Sequence, residues 1–292
     1  MRDYIIMTDS GGSLNQAEVS ELGVTVIPLS FTIEGKTYLD TPDHAGMDPE
    51  TFFEKIKAGA QCQTSAVNVK QYVDAMRPVL REGKDILCIC FSSALSATYN
   101  SACVAADELR EEFPEAKIIV IDSLGACRGM GMLIYRTVME RRRTNADIET
   151  LAKFVYEQRD KQGHWFFVDD LNHLKRGGRL NAVTAIAGKI LGIRPVMHCD
   201  AEGKLTPVSK ARGSKGALRA IFEKMEETGD DIENQKTIFI CHAACPDYVE
   251  YISELITEKY GITDIRADYI CPVVGAHTGW GTLGLFFVAN ER

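Results

Sequence analysis

Over the first half of the chain, short apolar runs alternate with longer segments whose apolar positions recur every three or four residues. Short runs of this kind have the length of buried strands, and the longer segments have the period of helices that bury one face. "DYIIM" predicts a strand, followed by the loop "TDSGGSL" and a helix over "NQAEVSELG" that ends at Gly23. "VTVIPLSF" predicts a second strand, and "FTIEGKTYLD" a hairpin turning at Glu34 and Gly35. "MDPETFFEKIKAG" opens a helix with Asp48 as its cap and Pro49 in the first turn, and Gly59 closes it. A helix over "VKQYVDAMRPVLREG" follows "TSAVN". The strand "DILCICF" then runs into a helix whose Tyr99, Ala102, Cys103, Ala106, Leu109 and Phe113 share one apolar face. "AKIIVIDS" and "CRGMGMLIYRTVMERRR" add one more strand and helix. Repeated βα units predict an α/β fold with a mostly parallel sheet and helices on both faces.

Beyond "TNADIETLAKFVYEQRDKQG" the pattern changes. "HWFFVDDL" reads as a strand into a short helix, "KRGGRLN" as a glycine-rich basic loop, and "AVTAIAGKILG" as a small-residue helix. "IRPVMHCDAEGKLTPVSKA" predicts an antiparallel hairpin turning at Asp200 to Gly203. A helix, the strand "KTIFICHA", the helix "PDYVEYISELITEKYG" and two further strands follow, with "VVGAHTGWGTLG" placing His277 and Thr278 in a glycine-rich loop. This half is α+β. The expected domains are therefore residues 1–160, α/β, and 161–292, α+β.

Composition narrows the function classes. The 292 residues are 45% hydrophobic and 25% charged, enough for a sizeable core. A net charge of −8 disfavours nucleic acid and anionic membrane as partners. No run approaches the ~18 apolar residues of a membrane span. "MRDYIIMTDSGG" meets an Asp too early for a signal peptide. Nine cysteines in irregular spacing suggest reduced thiols, hence a cytoplasmic protein. Cys88, Cys90 and Cys241 sit in strand-like runs as small hydrophobes. "CHAAC" (Cys241, His242, Cys245) fits no usual zinc spacing, so neither metal nor cofactor is expected.

The polar signals gather behind strands. "FSSALSATYNSA" carries six hydroxyl side chains just after "DILCICF". Hydroxyls at a helix start satisfy orphan backbone N–H groups, or donate to an anion that the helix terminus also favours. Both readings stand on this stretch alone. "TDSGGS", "TSAVN" and "IDS" end other strands, and in open α/β sheets ligands bind beyond the carboxyl ends of the strands. Thr64, Ser65, Ser93 and Ser96 are thus expected around one mouth.

These segments, with "VIPLSFTIEGKTYLD", "DLNHLKRGGRLN", "KILGIRPVMHCDAEGKLTPVSKARG" and "GAHTGWGTLG", occur in the order found in the DegV family, which the chain resembles along nearly its whole length. The resemblance implies a two-domain carrier that holds one long-chain fatty acid in a tunnel between its domains. It also implies a partner, a dihydroxyacetone-kinase-like fatty acid kinase that phosphorylates the carboxylate while the carrier holds the chain. By the same resemblance the carboxylate anchors are Thr64 and Ser96, and His277 is the "HTG" histidine. The chain departs from the family pattern at Ala97, in "TSAVN" and at Trp280.

Rival chemistries are weaker. A serine-type hydrolase would use Ser96, His277 and Asp122 or Asp169, but no G-x-S-x-G elbow is present, so no catalytic residue is assigned. Neither "KRGGR" nor "TDSGGS" matches a phosphate-binding fingerprint. Asp9 and Asp122 read as loop and strand-end caps. Lys175, Arg176 and Arg179 read as a solvated basic loop; as functional groups they, and Arg212, suit a partner surface or an acyl phosphate.

Overall fold

The computed structural model describes residues 2–180 and 192–292. The helix expected over 182–192 lies, but for Gly192, outside the described residues. The first half holds β1 (Tyr4–Asp9), α1 (Gln16–Leu22), β2 (Thr25–Ile27), β3 (Ser30–Ile33), β4 (Lys36–Leu39), α2 (Pro49–Lys57), β5 (Cys62–Ser65) and α3 (Val69–Arg81). It continues with β6 (Asp85–Cys90), α4 (Thr98–Glu112), β7 (Ile118–Asp122), α5 (Cys127–Thr144) and α6 (Ile148–Arg159). The second half holds β8 (Gln162–Phe167), α7 (Asn172–Arg176), β9 (Ile193–Cys199), β10 (Leu205–Arg212) and α8 (Gly213–Thr228). After these come β11 (Thr237–His242), α9 (Pro246–Tyr260), β12 (Asp264–Tyr269), α10 (Pro272–Thr278) and β13 (Leu283–Val288).

β2-β1-β6-β7 form a parallel sheet, and β10-β9-β8-β13-β11-β12 a mixed one whose only parallel pair is β11 with β12. The α/β architecture thus agrees with the alternation of patterns. Every residue of β6 is buried, as a central parallel strand covered on both faces requires.

Two expectations need correction. "VTVIPLSF" is two strands, not one: β2 pairs in the parallel sheet, while β3 joins β4 and β5 in a separate antiparallel sheet, order β4-β3-β5. Pro28 stands between them; lacking an N–H it cannot continue a ladder, and the chain changes sheets there. "TSAVN" therefore leaves this third sheet rather than the parallel one.

The second correction concerns His277, which lies in the last turn of α10 rather than in a loop. Pro272 starts that helix, and the Val273 N–H donates to Asp40 Oδ2 (3.2 Å). A carboxylate from the segment after β4 thus supplies the terminal acceptor that Cys271, the cap residue, does not. The helix is held where two sheets meet, against α2, α7, β3 and β5.

Across the halves, Arg128 of α5 is 1% exposed and forms a two-pronged ion pair with Glu18 of α1. Its guanidinium also donates to the Arg266 carbonyl of β12 (3.1 Å) and lies over the Phe239 ring.

Candidate functional site

Between the parallel and mixed sheets lies a cavity. Its walls are mainly apolar, with Leu29, Phe91 and Leu95 from the first half facing Phe166, Val273 and Phe286 from the second. Polar groups collect at one end: Thr64 and Ser65 at the end of β5, Ser96 before α4, Arg179 after α7, and His277 of α10.

The cluster is cross-linked. Thr64 Oγ1 and His277 Nε2 are 2.9 Å apart. Burial, and secondarily the Arg179 charge, hold the His277 imidazole down at about 4, so it is neutral at physiological pH. Its Nδ1 is buried without a protein partner, which leaves Nε2–H to donate to Thr64 and frees the Thr64 hydroxyl proton for a ligand. Gly177 makes room for this ring, because a Cβ there would stand 2.0 Å from Nδ1. Arg179 is half-buried, its Nε donating to the Leu95 carbonyl (2.9 Å) and Nη1 to that of Gly177. It faces the cavity, so a freely solvated Arg179 is corrected.

Ser96 resolves the question raised by its hydroxyl-rich stretch. Its Oγ is 2.8 Å from Thr98 Oγ1 and accepts weakly from the Thr98 N–H (3.3 Å), while α4 has no side-chain cap at Ala97. The hydroxyl lines the cavity instead of serving as a conventional cap. Ser92 is structural, binding the Gly203 carbonyl. Ser93 is exposed and does not line the cavity, and its N–H donates to Asp122. Arg212, exposed at the end of β10, is likewise away from it.

The geometry of a hydrolase is absent among the described residues. His277 is bonded to Thr64, not Ser96. Asp122 caps the Ser93 and Leu124 N–H groups, and Asp169 pairs with Arg194. The "TDSGGS" turn is occupied by its own carboxylate: Asp9 accepts from the Gly11 and Phe91 N–H groups (2.9 and 2.8 Å). The N–H groups that an anion would need there are already taken. Cys241 and Cys245 are buried, and Cys241 lines the cavity together with Cys127, Cys199 and His164, groups whose role spacing alone did not reveal.

Fold and site together define a two-domain α/β protein with a mainly apolar cavity bordered by hydroxyls. The chain belongs to the DegV family, whose model, described as "Uncharacterised protein, DegV family", matches residues 4–290. A DegV domain-containing protein of Clostridium perfringens is 37% identical over 292 residues, covering 100% of this chain and 99% of that one. The solved structure "Fatty Acid Binding of a DegV family Protein from Thermus thermophilus" is 28% identical, with a TM-score of 0.86 over 99% of this chain and 100% of that one. The Streptococcus pneumoniae "Fatty Acid Kinase (Fak) B3 protein loaded with linoleic acid" shares the fold at 21% identity, with a TM-score of 0.81 over 99% and 100% of the two chains.

Proposed function

We propose that the protein is a carrier that binds one long-chain fatty acid in this cavity, its carboxylate at Thr64, Ser96, Arg179 and His277, and presents it to a fatty acid kinase. The observation that carries the reading is the pairing of an apolar cavity with hydroxyl and guanidinium donors at one end. Burying roughly fourteen methylenes at ~0.8 kcal/mol each gives at most ~11 kcal/mol, reduced by ordering the chain. The carboxylate would oppose binding by several kcal/mol if left unpaired in a dry site. Two hydroxyls and the Arg179 guanidinium meet that need. The neutral imidazole acts through Thr64, so the headgroup is held mostly by hydrogen bonds and can be handed on.

A second pocket that shares His277, lined also by Gln63, His173, Arg176 and Gly177, supports transfer at this end. Arg176 there and the exposed Arg212 suit the kinase-facing surface. Under this reading the carrier has no chemistry of its own and needs no cofactor. The domains divide near residue 160, between α6 and β8. Nine free cysteines suit a cytoplasmic setting, and no helix among the described residues is long and apolar enough to cross a membrane.

The test is extraction of protein purified without delipidation, followed by mass spectrometry. A stoichiometric acyl chain is expected. Failure of delipidated protein to take up fatty acids of any common length overturns the proposal.

A further inference from the structure

One side chain in the cavity wall is out of keeping with an acyl chain of methylenes alone. His164 of β8 lines the cavity, is 2% exposed, and stands opposite Phe286 in the β8–β13 register, the two rings edge to face at 5.4 Å. Thr282, bonded to the Thr278 carbonyl beside His277, marks the headgroup end of the same wall. Phe286 is four residues further on, so His164 lies roughly 13 Å deeper at ~3.3 Å per residue. Its ring is pressed against α5, where a Cβ at Gly129 would stand 2.4 Å from Cε1.

The ring's bonds leave one nitrogen over. Nε2 is 3.1 Å from the Gln162 side-chain oxygen Oε1 and 3.5 Å from Arg292 Nη2. The nearer partner, a carbonyl oxygen, only accepts, so Nε2 carries the proton and Nδ1 is a bare lone pair. Nδ1 makes no hydrogen bond to a described residue. Burial and the Arg292 charge hold His164 well below its ordinary range, so the ring stays a neutral imidazole with one free acceptor. A saturated chain passing it would leave that acceptor unmet, at a cost of about 1–3 kcal/mol.

We infer that the inner part of the cavity recognises a hydroxyl carried along the acyl chain, hydrogen-bonded to His164 Nδ1, and that the preferred ligand is a hydroxylated long-chain fatty acid. The inference rests on the fatty-acid reading above. A hydroxyl both donates and accepts, so it serves the ring in either tautomer. The class of reaction that supplies such a ligand is hydration or hydroxylation of a long-chain fatty acid.

The experiment is displacement of a fluorescent fatty acid from delipidated protein by octadecanoate, cis-9-octadecenoate, 10-hydroxyoctadecanoate and 12-hydroxyoctadecanoate. Wild type, His164→Phe and His164→Leu are compared. In the wild type one hydroxy acid binds about three- to tenfold more tightly than octadecanoate. In both variants the order reverses, because the hydroxyl is then buried unpaired. Equal or weaker binding of both hydroxy acids by the wild type overturns the inference while leaving the carrier reading intact. So does an equal gain for the octadecenoate, which would assign the contact to a double bond. Loss of binding for all four acids overturns the carrier reading itself. Should the variants not fold, the His164 Nδ1 resonance of wild-type protein decides: it shifts with a hydroxy acid and not with octadecanoate, and an unmoved resonance overturns the inference.

Discussion

Replacing Thr64 by Val and Ser96 by Ala together removes both hydroxyls from the headgroup end while nearly preserving shape. Among the described residues Thr64 Oγ1 is bound only to His277 Nε2 and Ser96 Oγ only to the Thr98 group, so removing both hydroxyls costs the fold little. A hydrogen bond to a charged acceptor contributes ~1.5–3 kcal/mol, so two lost donors weaken fatty acid binding by at least a hundredfold if they act independently. Arg179 remains and keeps part of the carboxylate's stabilisation, which makes tenfold the lower bound of the expected loss. The assay is competitive displacement by a fatty acid and by the alcohol of equal chain length. The alcohol keeps the methylenes and carries no charge, so its affinity changes much less. Equal losses for acid and alcohol would refute the headgroup assignment and point to collapse of the cavity.

Gly177→Ala places a Cβ where the His277 ring stands, so the acid-versus-alcohol preference falls while urea unfolding shifts little. Arg128→Met leaves the Glu18 carboxylate buried without its partner; a loss of about 3–5 kcal/mol in urea unfolding is expected, and a loss under 1 would contradict the buried pair. Burial raises the Asp40 carboxyl from 3.8 to about 7, so the unfolded chain ionises well before the folded one. Asp40 therefore adds a fall in stability as pH rises from about 4 to 7 and none above; Asp40→Asn flattens that part of the profile in thermal melts, and an unchanged slope counts against it. With a cognate kinase and ATP, the loaded carrier supports acyl phosphate formation and Arg176→Glu slows it without emptying the cavity. Robust ester or ATP turnover in a control without kinase, lost in His277→Ala, would overturn the carrier reading.

The strand and helix elements of the first half were legible because their signals are local. Asp48 followed by Pro49 caps α2 as expected, its Oδ1 accepting the Thr51 N–H, and "DILCIC" is the fully buried strand that its run of apolar residues predicts. What failed depended on partners far away in sequence. Pro28 was visible in "VTVIPLSF", but only the distant β5 turns that break into a third sheet. His277 looked like a loop residue among glycines because the acceptor that completes α10's first turn is Asp40, 233 residues away. Arg179 looked solvated because its anchor is the carbonyl of Leu95, 84 residues away. The polar end of the cavity is thus assembled from segments each of which, read alone, has an ordinary explanation: a cap, a loop histidine, a basic turn. Motif order along the chain singled out Thr64, Ser96 and His277, which line one cavity, because order carries the long-range information that spacing lacks. It gave no sign of His164, which sits in "HWFF" as one more inward strand position, and whose chemistry exists only where β8, Arg292 and the cavity meet. Under the carrier reading, a residue of that kind is what would distinguish one carrier from another in what it carries, since a headgroup end built this way treats all carboxylates alike.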